Sequence, residues 1–165
     1  MPVHPQTNYM IDIAIEDEIW NTAIQNIEKM THDIISETLK RDKISAQTLE
    51  VSILLTNDAR IQMLNKTYRQ KDKTTNVLSF PQTEPEEMDA PFLMLGDIAI
   101  SYDTIRSEAE EQNKELPDHY AHMLVHGCLH LLHYDHLNEK DAHQMESTEI
   151  EILNQFGVKN PYSNQ

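Results

Sequence analysis

Apolar positions along the chain follow two periods, one typical of strands and one typical of helices. Short apolar or partly alternating runs at 9–15, 49–56, 77–80 and 96–101 predict four β-strands. Pro81 should end the third strand, because proline cannot donate to a strand ladder.

Between these runs, apolar residues recur at three- and four-residue steps, which predicts helices. The first is predicted as one long amphipathic helix, and a later helix begins at Asn57 or Asp58 as its cap. The five predicted helices span approximately 16–39, 58–68, 103–113, 117–132 and 138–156. Residues 81–95 contain three prolines and four acidic residues, so we expect a surface loop there.

Helices interleaved with strands indicate an α/β fold, with a small mixed four-stranded sheet packed with about five helices. The central helix of this arrangement is 117–132, which is largely apolar apart from its histidines. The length of 165 residues suits a single domain, 1–165.

Composition bears on location and on partners. The single cysteine cannot form an internal disulfide, which fits a reducing compartment such as the cytoplasm. Neither a signal peptide nor a membrane-spanning run is evident, so we expect no membrane contact. The formal charge of −15 argues against a nucleic-acid partner, because phosphate binding draws on Lys and Arg.

Six of the nine histidines fall between positions 119 and 136. His126 and His130 are one helical turn apart, so both imidazoles can reach one ion at about 2.0–2.1 Å. His136 can supply a third nitrogen if the helix ends near Leu132 and the chain folds back. Three imidazoles leave one position open, as in catalytic zinc sites, which predicts one Zn²⁺ per chain. Nickel or another divalent metal is also chemically acceptable.

Neighbouring residues have weaker assignments. His133 is a rival third ligand, but its Cα lies about 10.5 Å along the helix axis from that of His126. In a turn, His133 could take a positive φ. We expect His122 to support a ligand or to face substrate, and Asp135 to orient a ligand imidazole, although either residue could be purely structural or solvated. Cys128 points away from the ligand face and is predicted to be a core residue.

The same histidine spacing occurs in metzincin proteases, whose motif is HExxHxxGxxH with Glu as general base. Here Gly127 stands in place of that Glu, and His133 in place of that glycine. Without the Glu, peptide hydrolysis loses its base, so the peptidase alternative is disfavoured.

Three blocks of sequence carry a resemblance to a known family. Residues 126–136 read HGCLHLLHYDH, Tyr68-Arg69 is followed by TNVLSFP at 75–81, and residues 95–101 read LGDIAIS. Together they resemble the YbeY-type endoribonucleases, rRNA maturation factors with motifs close to HGxLHLxGYDH, YR…TDVLSFP and LGDI. The chain departs at His133, where the family has glycine, and at Asn76, where it usually has Asp.

The resemblance implies an α/β fold with the metal helix against the sheet. It implies that His126, His130 and His136 are zinc ligands and that Arg69 is functional. It also implies a metal-dependent endoribonuclease specific for single strands, acting on the 3′ end of small-subunit rRNA and in ribosome quality control. The implied partners are an rRNA precursor and the ribosome or a ribosomal protein.

Basic residues near Arg69 form a local positive patch, which could bind phosphate although the whole chain is strongly acidic. The guanidinium of Arg69 can hold two phosphate oxygens at once. Lys66, Lys71 and Lys73 lie within eight positions of one another and are candidate phosphate-binding residues, although they could form a solvated basic turn. Two other functions stay open: a non-catalytic metal-binding ribosome assembly factor and a metallopeptidase-like hydrolase.

Overall fold

Four strands form one mixed sheet in the computed structural model, which describes residues 7–42 and 44–163. The strands are β1 (Asn8–Ile15), β2 (Thr48–Thr56), β3 (Val77–Pro81) and β4 (Phe92–Ser101). Their spatial order is β1-β2-β4-β3. The first three in this order are parallel, and β3 runs antiparallel to β4 at the edge. The predicted small mixed sheet is confirmed, as is the end of the third strand at Pro81.

The described residues form six α-helices and one short 3-10 helix, Pro85–Glu87. The α-helices are α1 (Ile19–Ala23), α2 (Ile27–Arg41), α3 (Asp58–Arg69), α4 (Tyr102–Glu111), α5 (Leu116–Leu131) and α6 (Glu139–Gln155). Asn57 caps α3 and Asn138 caps α6 through their side-chain oxygens. Within this part of the chain, no helix combines the length and apolar character needed to cross a bilayer.

The prediction of one helix over 16–39 is wrong, because the helix is interrupted between Ile24 and Asn26. Ile24 is extended, and Asn26 takes a left-handed φ of 53°. Asparagine tolerates this conformation better than most residues. The break leaves α1 free to place the Trp20 indole nitrogen 2.9 Å from the Thr56 carbonyl, to which it donates. Because apolar residues on both sides of the break are buried, the helical period continues across it.

The prediction of a loop through residue 95 is wrong at its end, because β4 begins at Phe92. Phe92 and Met94 are exposed while Leu93 and Leu95 are buried, so the alternation is that of a strand. A register shift opposite Val51 precedes Gly96, whose φ is 142°. A Cβ at Gly96 would lie 2.2 Å from the Phe80 carbonyl oxygen, so the strand can approach β3 only with glycine here.

Helix α5 is central and largely buried, as predicted. It contacts α2, α4, α6, β3 and β4. The sheet face beneath it carries Ile13, Ile53 and Ile98, which lie side by side across three strands. The helix that carries the histidine motif is therefore held by three helices and by two strands, one of which is the edge strand β3.

A buried hydrogen bond joins α2 to α5 and offers a test of this packing. Tyr120 OH lies 2.6 Å from Thr31 Oγ1, and both residues are fully buried. Tyr120→Phe should lower the free energy of unfolding by about 1–3 kcal/mol, because the Thr31 hydroxyl loses its partner in the core. Urea denaturation measures this loss. The double variant Thr31→Val/Tyr120→Phe should lose less than the two single variants add up to, and strict additivity would contradict the pairing.

Candidate metal centre

The end of α5 brings three histidines together. His126 and His130 lie one turn apart on the helix, and the chain reverses at His133, whose φ is 68°. The amide of His133 donates to the carbonyl of His130, and the amide of Tyr134 donates to that of Leu129. These are the two bonds of a Schellman motif, which ends helices with a left-handed residue.

This reversal places His136 beside the two helical histidines. One nitrogen of each ring can be chosen so that all three atoms lie within 4.8 Å of one another. The His136 ring centroid lies 5.9 Å from that of His126 and 5.3 Å from that of His130. His133, the rival third ligand, instead directs its Nε2 to the Thr83 carbonyl at 2.6 Å. The positive φ expected for His133 in a turn is confirmed.

The two helical imidazoles face each other through their Nε2 atoms, which are 3.1 Å apart. Two ligands about 2.0–2.1 Å from one tetrahedral ion are separated by roughly 3.3 Å, so this spacing fits a shared ion. Their Nδ1 atoms face oxygens that only accept: His126 faces Glu149 Oε2 at 3.3 Å, and His130 faces the Tyr134 carbonyl at 3.1 Å. Each Nδ1 therefore donates its proton outward, and both Nε2 lone pairs point to the same place.

The electrostatic environment favours a neutral imidazole at His130. Burial lowers the pKa of His130, and the neighbouring imidazoles of His126 and His136 lower it further. Neutral imidazole is the form that binds a metal ion. The donor set, its spacing and the lowered pKa of His130 thus fit a divalent ion.

Glu149 is the residue in this centre that the sequence analysis did not identify. It lies on α6, is completely buried, and contacts both His122 and His126. Burial alone would raise the pKa of Glu149, but hydrogen bonds from His122, His126 and Tyr162 outweigh it and lower the pKa to about 2. The sequence did contain a signal for Glu149: it lies four residues after Met145 and three before Ile152, on the apolar stripe of α6.

The two residues expected to support the ligands occupy different environments. His122 is buried, and its Nε2 lies 3.1 Å from Glu149 Oε1. Asp135 lies at the cleft, where its Oδ1 accepts from the His136 amide at 2.7 Å and is 4.0 Å from His136 Nδ1. Cys128 is a fully buried core residue, as predicted, and burial raises the pKa of its thiol.

A cleft of about 410 Å³ lies between β3 and the end of α5. His126 and His130 line it together with Arg69 and residues of β3. The full lining comprises Arg69, Asn76, Val77, Leu78, Ser79, Pro81, His126, His130, His133, Tyr134 and Asp135. Arg69 donates to the Ser79 carbonyl, and its guanidinium carbon lies 5.4 Å from the centroid of the Phe80 ring. The structure thus brings Arg69 and two of the predicted ligands to one cavity.

The three candidate lysines do not line this cleft. Lys66, Lys71 and Lys73 are exposed, and Lys66 Nζ lies 3.9 Å from the Asp72 carboxylate. Their turn is fixed by the buried Asn65, whose side-chain amide donates to the Lys73 carbonyl at 3.0 Å. They therefore lie outside the cleft, at the end of α3 and on the exposed turn that follows it.

A larger groove of about 670 Å³ lies on the opposite face of the sheet, beneath α3. Asp12, Ser52 and Asp97 line it together with Leu64 and Tyr68. None of the three clustered histidines borders it, so its size does not make it the reactive site.

Comparisons with known proteins agree on one family. The sequence model of the family described as Endoribonuclease YbeY matches residues 12–157. A protein named Endoribonuclease YbeY from Bartonella bacilliformis is 42% identical over 153 residues, covering 93% of this chain and 96% of its own length. One of the same name from Bradyrhizobium diazoefficiens is 51% identical over 120 residues, covering 70% of this chain and 65% of its own length.

A solved structure supports the fold. The solution structure of a Thermotoga maritima protein superposes with a TM-score of 0.56 at 20% identity, covering 93% of this chain and 96% of that one. At this identity the likeness concerns the fold alone.

Removal of one clustered imidazole tests the metal centre directly. His130→Ala should abolish stoichiometric zinc binding, because two imidazoles hold a divalent ion far more weakly than three. Zinc titration by isothermal calorimetry of the chelator-treated protein measures this. The matched control is His143→Ala, an exposed histidine on α6 that should leave the stoichiometry at one. Equal zinc binding by the wild type and by His130→Ala would contradict the assignment.

Proposed function

Because the chain belongs to the YbeY endoribonuclease family, we propose that it is a zinc-dependent endoribonuclease that cuts single-stranded RNA. Its proposed substrate is the 3′ end of the small-subunit rRNA precursor, with a further role in ribosome quality control in the cytoplasm. The observation that carries the proposal is that two imidazoles of the histidine cluster and the Arg69 guanidinium line one cleft.

His126, His130 and His136 are the proposed ligands of one Zn²⁺ ion, with nickel or another divalent metal as a substitute. An ion held there would supply Lewis-acid chemistry and make water more acidic. Each side chain would offer a single nitrogen, so an ion held by the three could also bind water or a phosphate oxygen. Asp135 and His122 lie around these ligands and are proposed to support them.

Arg69 is the proposed catalytic residue because of the charge change in hydrolysis. When the oxygen of water adds to phosphorus, negative charge grows on the non-bridging oxygens before the ribose oxygen leaves with a proton. A guanidinium beside the reacting group stabilises that charge. The contacts of Arg69 with the Ser79 carbonyl and the Phe80 ring hold the side chain at the cleft that His126 also lines.

The distribution of charge on the protein favours an RNA substrate that a partner brings to the cleft. Lys66, Lys71 and Lys73 are proposed to contact phosphates outside the cleft, whereas the chain as a whole carries a formal charge of −15. Free RNA should therefore bind weakly and in a salt-dependent manner. This balance suits an enzyme brought to rRNA by the ribosome or by a ribosomal protein.

The peptidase alternative meets a steric objection. A Cβ at Gly127 would lie 3.0 Å from Ile98 Cγ2 and 3.2 Å from Ser79 Oγ. The position that carries the general base in metzincin motifs is thus tightly packed here, and a glutamate side chain would have to displace its neighbours.

Cleavage of a defined RNA tests the function. Purified chain loaded with zinc should cut a single-stranded RNA with the sequence of the rRNA 3′ end, and His130→Ala prepared identically should not. Annealing a complementary strand to the same RNA should protect it, since a strand held in a stiff duplex cannot bend into the cleft. Equal cutting by both proteins would assign the activity to a contaminant. RNA that is bound but not cut would favour the assembly-factor alternative.

The role of Arg69 makes a separate prediction. Arg69→Ala should lower kcat/KM for the single-stranded RNA by about 10²–10³-fold, because a group that stabilises transition-state charge is lost. Arg69→Lys should recover part of the activity, since it keeps the charge but loses the two-pronged contact. The matched control is Arg106→Ala, which removes an exposed arginine paired with Glu110 on α4. Zinc affinity should be unchanged in all three variants, and full activity of Arg69→Ala would contradict the role.

A further inference from the structure

We propose that Tyr162 is a positioning residue: it holds the Glu149 carboxylate so that Oε2 accepts a hydrogen bond from His126 Nδ1. The inference rests on the proposed metal centre. It adds a C-terminal residue, far from the histidine motif in sequence, to the groups that set the metal affinity of that centre.

The Glu149 carboxylate has both oxygens engaged. Oε1 lies 2.5 Å from Tyr162 OH and 3.1 Å from His122 Nε2, whereas Oε2 lies 3.3 Å from His126 Nδ1. Tyr162 OH is also 3.1 Å from Oε2. The hydroxyl thus contacts both oxygens and lies closest to Oε1, while Oε2 is the oxygen that faces the ligand imidazole. Tyr162 OH is also 3.2 Å from His122 Nε2, so these two side chains hold the carboxylate together.

The protonation of His122 agrees with this arrangement. Its Nδ1 is buried without a hydrogen-bond partner among residues 7–42 and 44–163, so the ring carries its proton on Nε2, which donates to Glu149. Glu149 accepts from a tyrosine hydroxyl and two imidazoles and donates to none of them. An acceptor oxygen at His126 Nδ1 holds that ring in the tautomer with a free Nε2 lone pair.

Tyr162 reaches the carboxylate from a turn that hydrogen bonds hold in place. The Tyr162 amide donates to Asn160 Oδ1 at 2.8 Å, and Lys114 Nζ donates to the Pro161 carbonyl at 3.0 Å. Lys114 lies between α4 and α5, so it ties the turn to the start of the helix that carries the histidines.

The ring of Tyr162 contributes little to the core. The residue is 42% exposed, and its ring touches His122 edge-on with centroids 5.4 Å apart. Its hydroxyl, by contrast, ends on a carboxylate that is completely buried. The hydroxyl is therefore the part of this side chain that acts on the centre, and removing it alone is the informative change.

Zinc affinity provides the test, measured by competition with a chromophoric chelator and therefore independent of RNA cleavage. Tyr162→Phe should raise the zinc dissociation constant about threefold to tenfold, and Glu149→Gln about 10- to 100-fold. Because Tyr162 acts through Glu149, the double variant should bind zinc no more weakly than Glu149→Gln alone. The matched control is Tyr102→Phe, since Tyr102 packs edge-on against Trp20 with a similar centroid distance of 5.5 Å.

A second readout separates positioning from general stability. In long-range ¹H–¹⁵N spectra of the metal-free protein, His126 should carry its proton on Nδ1 in the wild type and in Tyr102→Phe. Tyr162→Phe should show a larger fraction of the Nε2-protonated form. A change in thermal stability alone would not move this ratio.

Each outcome decides the inference. Wild-type zinc affinity in Tyr162→Phe, or effects of the two changes that simply multiply in the double variant, overturns the role of Tyr162 and leaves the metal centre intact. A wild type that binds no zinc overturns the metal centre, and this inference with it. If Glu149→Gln does not fold, Tyr162→Phe decides through its affinity and its His126 spectrum.

Discussion

The close approach of α5 to the sheet at Gly127 is the contact on which the arrangement of the cleft depends. A side chain there would meet Ile98, Val77 and Ser79 at 3.0–3.2 Å, and Ser79 Oγ donates to the Gly127 carbonyl at 2.8 Å. A Cβ at residue 127 would push these side chains apart, so glycine lets the helix lie this close to the sheet without strain. As a result the edge strand β3 becomes a wall of the cavity that Arg69, His126 and His130 also line.

The fold was predictable where local pattern and packing agree. The four strands and α5 follow from period and composition, because each buries the face that its sequence marks as apolar. The break before Asn26 was not predictable from period, since residues on both sides of it enter the same core. The start of β4 at Phe92 was concealed by exposed Phe92 and Met94, whose apolar side chains face the less covered side of the sheet. In both cases tertiary contacts decide a boundary that the local sequence leaves open.

The site shows a similar division. His126 and His130 were identified because helical geometry relates positions four apart, and His136 because the helix had to end. Glu149 and Tyr162 come from α6 and the turn beyond it, and no local rule links them to α5. A buried acid on an apolar stripe is nevertheless a readable signal, since an unpaired carboxylate in a core is costly. The sequence predicted that the lysines near Arg69 form a patch. It could not predict that they lie outside the cleft, because their position depends on the turn that Asn65 fixes.

The turn after α5 shows how one departure from the family pattern is accommodated. The Schellman position is occupied by His133 with φ 68°, although a non-glycine residue pays about 1–2 kcal/mol for this conformation. Glycine would avoid that cost, but it could not supply the ring that contacts the Thr83 carbonyl at 2.6 Å. A hydrogen bond of this kind contributes about 0.5–1.5 kcal/mol, so it offsets much of the backbone strain. Thr83 in turn donates to the Met94 carbonyl at 2.6 Å, which ties the same loop to β4. The turn that delivers His136 is therefore braced against the sheet by a side chain that a glycine-containing relative would lack.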